Sequence, residues 1–155
     1  MTAAQDQLVV ITRVFDAPRD LVFRAWTDPD HVAEWFGPES FDTPRDSVDI
    51  DLRVGGRFEL TMVRTDTGAQ FPVRYEIVEL DPPRLLVLIS APMPELGMHE
   101  PTVTRVELHD EDGRTRMTLT DGPFTQSGHA EAGWNAAFAK LEALFGSLQR
   151  RAGKS

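Results

Sequence analysis

The sequence predicts a single α+β domain in which an antiparallel sheet is covered on one face by a long C-terminal helix. Three observations predict it. From Ser47 to about Leu119 the apolar residues recur mostly with period two, as in strands that bury one face. From about His129 to Arg150 they recur at three and four, the longest helical pattern in the chain. No linker, repeat or low-complexity tract divides the 155 residues, a length that suits one domain with its own core. The domain is expected over residues 8–150, with flexible tails at 1–7 and 151–155.

The elements follow in order. Residues Leu8 to Phe15 are apolar and β-branched and read as a strand. Asp16-Ala17-Pro18 ends it and opens a helix whose buried face carries Val22, Phe23 and Trp26. Asp28 and Pro29 restart the pattern as cap and first residue of a second short helix, with Val32, Trp35 and Phe36 as its stripe and Gly37-Pro38 as its stop. Val48, Ile50 and Leu52 then alternate with Asp49, Asp51 and Arg53, before a tight turn at Gly55-Gly56. Phe58, Leu60 and Met62 form the apolar parity of the next strand, and Phe71, Val73, Tyr75 and Ile77 that of its hairpin partner across Asp66-Thr67-Gly68. Pro82-Pro83 leads into Leu85 to Ile89, apolar on both faces. A loop from Pro92 to Pro101 carries Met93, Leu96 and Met98. It is either a gate or an ordinary surface connection. Two strands then flank the turn Asp110-Glu111-Asp112-Gly113, with Val106, Leu108, Met117 and Leu119 inward. Trp134, Phe138, Leu141, Phe145 and Leu148, widened by Ala130, Ala137 and Leu144, form the stripe of the last helix. Arg150, Arg151 and Lys154 complement the negative end of that helix.

Composition narrows the function classes. Net charge is −9, from 16 basic and 25 acidic side chains, which disfavours nucleic acid and anionic membranes as partners. There are no cysteines, so disulfides, thiolate catalysis and cysteine-ligated metals are excluded. The first residues do not read as a signal peptide, no window approaches a membrane span, and the expected location is the cytoplasm. His31 and Glu34, three apart on a helix, read as a surface pair rather than a metal site, and His99, His109 and His129 lack ligand spacing. Asp110 to Gly113 resembles a calcium loop without its later acidic ligand and reads as a plain turn. No cofactor or metal is expected. Nucleophile-elbow, phosphate-loop and dinucleotide motifs do not occur. Asp49, Asp51, Glu59, Glu76 and Glu107 fall on the outward parity, so no catalytic residue is assigned.

Several blocks resemble one superfamily. Phe15-Asp16-Ala17-Pro18 with Val22-Phe23-Arg24-Ala25-Trp26-Thr27-Asp28-Pro29 resembles the opening of START-like (SRPBCC) domains. The similarity is to the branch named for the activator of heat-shock-protein ATPase homologues (AHSA). Glu34-Trp35-Phe36-Gly37-Pro38, Asp51 to Phe58, Glu79 to Leu85 and His129 to Asn135 fit the same branch, in family order over about residues 8–148. The resemblance implies a helix-grip (START/Bet v-like) fold with a cavity between sheet and helix. Members bind lipids, hormones or polyketides, cyclise them, or assist chaperones. In the eukaryotic co-chaperone the similar part is the C-terminal domain, and a separate N-terminal domain supplies much of the chaperone contact.

The expected function is therefore binding of a hydrophobic small molecule, lipid-like or polyketide-like, in stress response or lipid metabolism. The alternatives are a cyclase or aromatase and a chaperone-assisting interaction domain. The candidate lining is Trp35, Phe36, Phe58, Leu60, Met62, Phe71, Val73, Tyr75, Leu86, Leu88, Met117, Leu119, Trp134 and Phe138. A solid core is the competing reading of the same residues. Tyr75 and Trp134 stand out because an inward hydroxyl or indole N–H needs a partner, which is a ligand, a water or a backbone group.

Overall fold

The computed structural model describes residues 7–92, 100–124 and 128–152, and of His129, Arg151 and Ala152 the backbone alone. Strand β1 (Gln7–Phe15) is followed by helices α1 (Arg19–Thr27) and α2 (Pro29–Trp35). The short strands β2 (Phe41–Asp42) and β3 (Asp49–Ile50) precede the long strands β4 (Arg57–Arg64) and β5 (Gln70–Asp81). Strands β6 (Leu85–Ser90), β7 (Val103–Glu111) and β8 (Arg114–Phe124) complete the sheet, and α3 (Gly128–Ala152) ends the fold. All pairings are antiparallel in the order β1-β8-β7-β6-β5-β4-β2, with β3 also on β4. The curved sheet wraps α3, which at 25 residues is about 38 Å long and spans the domain. This is the helix-grip architecture. Strand β1 starts and α3 stops just beyond the expected limits of 8 and 150.

Local chemistry explains the junctions. The backbone N–H of Asp28 donates to Arg24 at 2.7 Å and closes α1. Its carboxylate accepts from the Asp30 N–H at 2.9 Å and, with Pro29 at the first position, opens α2. Phe36 caps α2 rather than continuing it, with extended dihedrals. Gly37 follows at φ +104°, and a Cβ there would meet the Met62 sulfur at 3.3 Å. The loop after α2 is pinned to α3. Gly133 lies against Pro38, and the Lys140 ammonium donates to the carbonyls of Pro38 and Phe41, both at 3.3 Å.

One expected strand needs correction. The alternation from Val48 to Arg53 predicts a strand through Leu52, yet β3 has only two residues and Leu52 is exposed. The N–H of Arg53 donates to the Asp51 carbonyl and that of Gly56 to the Arg53 carbonyl. A Cβ on Gly56 would sit 2.0 Å from the Asp51 oxygen. The chain thus doubles back too tightly for a ladder, and Leu52 is carried outward. Strand β2, which the sequence pattern does not reveal, is too short to show any period.

Strand β6 is buried on both faces, as its composition requires. On the convex side Val87 lies between its register partners Glu79 and Arg105, whose side chains face each other at 3.9 Å and roof it.

Register sorts the concave face into rows. Phe58, Tyr75 and Ser90 form one row. Ile77, Leu88, Thr104, Asp121 and Val9 form the next, and Leu80, Leu86, Val106, Leu119 and Ile11 the third. Leu108 and Met117 lie beyond, and Phe15 beside Thr115 ends the series. Polar side chains concentrate in the first two rows. Helix α3 runs closest to α2 and β1 and bridges to the rows through its large side chains. Among the described residues no helix is long and apolar enough to cross a membrane.

Candidate functional site

At the end where β6 stops and α3 starts, one carboxylate is buried inside the grip. Asp121 is 5% exposed. The Thr104 hydroxyl donates to its Oδ1 at 2.8 Å, and the Trp134 indole N–H donates to its Oδ2 at 2.8 Å. The Gly122 backbone N–H also reaches it. Burial raises the Asp121 carboxyl above its ordinary range, and the donors from Trp134, Thr104 and Gly122 oppose the shift. Tyr75 reaches the same cluster from β5, its hydroxyl against that of Thr104. Burial first, and the Asp121 charge second, push its ionisation far above that of a free tyrosine, so Tyr75 is a neutral phenol. Beside them Ser90 and Thr102 join hydroxyl to hydroxyl at 2.8 Å, and the Thr102 N–H donates to Ser90 Oγ at 3.0 Å.

Aromatic rings surround this cluster. Trp134 stacks on Phe138 at 5.5 Å and meets Phe36 edge-on at 5.7 Å. Phe36 continues to Phe58 at 6.4 Å, and Phe58 to Tyr75 at 5.9 Å. Behind them Trp35 packs on Phe138 at 6.2 Å, and its N–H donates to the Ala25 carbonyl at 2.8 Å. Trp26 meets Trp35 edge-on at 4.8 Å, and its own N–H is buried without a hydrogen-bond partner.

The fourteen candidate residues separate by exposure. Trp35, Phe36, Phe58, Tyr75, Trp134 and Phe138 form one connected set of rings. Leu60, Val73, Leu86, Leu88, Met117 and Leu119 lie in the same core, all 2% exposed or less, and Met62 packs with them. Tyr75 and Trp134 face inward yet are only partly buried. Phe71 stands apart at the rim, paired with Phe41 at 5.7 Å. Met93, Leu96, Met98 and His99 lie outside the described residues, as does the side chain of His129.

Sequence reasoning missed Asp121 and Thr104. The signal was parity. Asp121 follows Met117 and Leu119 by steps of two, and Thr104 precedes Val106 and Leu108 in the same way. Hydrophobic alternation marks the strand but passes over a polar residue that continues it. The expectation of an almost wholly apolar inward face is corrected accordingly. The five acids expected outward do lie outside, Asp49 paired with Arg57 and Glu107 with Arg105, both at 2.6 Å. Glu34 is exposed and His109 is 3.8 Å from Glu107. Among the described residues no three acidic or histidine side chains are placed to hold a metal.

A curved antiparallel sheet gripping a long C-terminal helix, with two short helices after the first strand, is the architecture of a START-like (SRPBCC) protein. Residues 16–146 match the model of the family described as "Activator of Hsp90 ATPase homolog 1-like protein", and the chain belongs to that family. Among solved structures it is similar to protein CV1439 from Chromobacterium violaceum, with a TM-score of 0.79 at 22% identity, covering 89% of this chain and 96% of that one. Protein NE0264 from Nitrosomonas europaea gives a TM-score of 0.79 at 24% identity, covering 97% and 99%. The AHSA1 (SPO3351) protein from Silicibacter pomeroyi gives 0.73 at 20%, covering 88% and 96%. At these identities the likeness shows the fold. None of the curated proteins matches the chain.

Proposed function

We propose that the chain binds a hydrophobic small molecule between sheet and helix, at the end marked by Tyr75, Thr104, Asp121 and Trp134. One observation carries this reading: a carboxylate is buried in an apolar interior beside two inward-facing aromatics that keep solvent contact. A buried carboxylate is costly unless it is hydrogen-bonded, as Asp121 is, and a carboxyl shifted by burial marks a candidate functional site. Phe36, Val73, Tyr75 and Trp134 form the seat, and Leu60, Leu86, Leu88 and Phe138 its packed floor. Each 100 Å² of apolar ligand surface removed from water contributes roughly 2.5 kcal/mol before ordering costs. Native mass spectrometry of the protein isolated from its own cells tests the reading. A co-purifying apolar molecule of defined mass supports it, and a bare chain under gentle desolvation counts against it.

A second reading, a surface that assists a chaperone, is favoured by β1. Leu8 and Val10 are 55% and 60% exposed, and Val14 follows on the same convex face of this edge strand. An enzymatic reading has two converging polar groups in Asp121 and Tyr75, and no reaction follows from them alone.

A further inference from the structure

We propose that the Tyr75–Thr104–Asp121–Trp134 cluster selects ligands carrying a hydrogen-bond donor, an alcohol, phenol or amine, over ligands of equal size that only accept. The inference rests on the reading of this end as the ligand seat, and proton counting carries it.

An ionised carboxylate accepts and never donates. Among the described residues every group that reaches Asp121 is a donor, the set that an ionised carboxylate takes: Thr104 Oγ1 and Trp134 Nε1, each at 2.8 Å, and the Gly122 N–H. The threonine hydroxyl has one proton, and Asp121 takes it. Thr104 then has only lone pairs to offer Tyr75, so a Tyr75 hydroxyl bonded to Thr104 is the donor and its oxygen keeps only lone pairs for anything else. Trp134 has a single N–H, also spent on Asp121. The neighbouring Ser90–Thr102 pair keeps one hydroxyl proton of its own, but among the four described side chains of the cluster the open valences are thus all acceptors. They are the remaining lone pairs of Tyr75 and of the carboxylate.

A ligand O–H or N–H completes this set. A ligand carbonyl or ether would place lone pair against lone pair and leave buried acceptors unpaired. Sites built to bond a particular polar group discriminate strongly against analogues that lack it. The apolar walls supply affinity with little discrimination, and the buried cluster supplies the choice.

The test uses two probes with one aromatic body, 2-naphthol and 2-methoxynaphthalene, titrated calorimetrically into the full chain. The expected result is about tenfold tighter binding of 2-naphthol, the scale of one hydrogen bond to a charged acceptor. Asp121→Asn reduces the preference to within about twofold, because an amide restores donors to the cluster. Tyr75→Phe is the second variant. It leaves Asp121 in place and also weakens the preference. Circular dichroism checks that both variants fold. Equal affinities in the unsubstituted protein overturn the donor preference and leave the apolar seat standing, as does a preference that persists in both variants. Failure of both probes to bind overturns the seat and the inference together.

Discussion

The two ends of the grip are built on one sheet and one helix yet differ in kind. At the far end Phe15 meets Phe145 at 5.3 Å and Phe138 at 6.4 Å, with Leu108, Met117 and Leu141 sealed around them. The inward Thr115 hydroxyl there donates to the Ala17 carbonyl at 2.7 Å, so its proton is satisfied locally. At the near end Tyr75, Ser90, Thr102, Thr104 and Asp121 share the concave face, and the aromatics stay partly exposed. The difference teaches where stability and where selectivity reside. The far end is close-packed apolar volume whose value is burial. The near end holds a carboxyl group away from water, and that arrangement is paid for by the rest of the core.

The contrast is sharpened by substitutions at each end. Phe15→Ala is expected to cost about 3–5 kcal/mol in urea unfolding, since it opens a cavity in sealed packing, and to leave the donor preference of surviving folded protein unchanged. Thr104→Val, nearly isosteric, is expected to cost less, about 1.5–3 kcal/mol, by removing one hydrogen bond to a buried carboxylate. The reverse order of costs would break the distinction between the two ends.

A smaller effect concerns pH. Burial raises the carboxyl of Asp121 in the folded state above its ordinary value. The folded state therefore holds this proton more tightly than the unfolded state. The contribution of Asp121 to stability is greatest below the unfolded pKa and declines as pH rises through the folded one. The unfolding free energy of the natural protein, minus that of Asp121→Asn, should fall over that window and level off above it. Taking the difference cancels the opposite trend from Asp66 and Glu107, whose partners Arg64 and Arg105 lower their carboxyls. A difference independent of pH would mean that Asp121 does not titrate as a buried group.

Much of this was legible in the sequence. Period two and period three to four gave the sheet and α3, and Asp28-Pro29 gave the break between two short helices, because each is set by local chemistry. The inward parity of Phe58, Leu60, Val73, Tyr75, Met117 and Leu119 was legible for the same reason. The polar end was not. Asp121 carries no signal until its strand is known to continue through Phe124, and the partner that the inward Trp134 N–H needs is identified only when it is seen on that carboxylate. Leu52 misled because alternation cannot register a turn in which Gly56 presses on a backbone carbonyl. The polar end depends on contacts between residues distant in the chain, whereas the turn is a local backbone fold to which side-chain alternation is blind.

The central claim is that small apolar ligands enter at the near end of the grip and engage the Asp121 cluster. The three tryptophans give a direct measurement, since each indole N–H has its own resonance in a nitrogen-15 correlation spectrum. On titration with 2-naphthol the Trp134 indole should shift most, Trp26 and Trp35 behind it less, and the methyl groups of Leu108 and Leu141 least. A still Trp134 with shifts gathered at Leu8 and Val10, or around Phe15, would contradict the account.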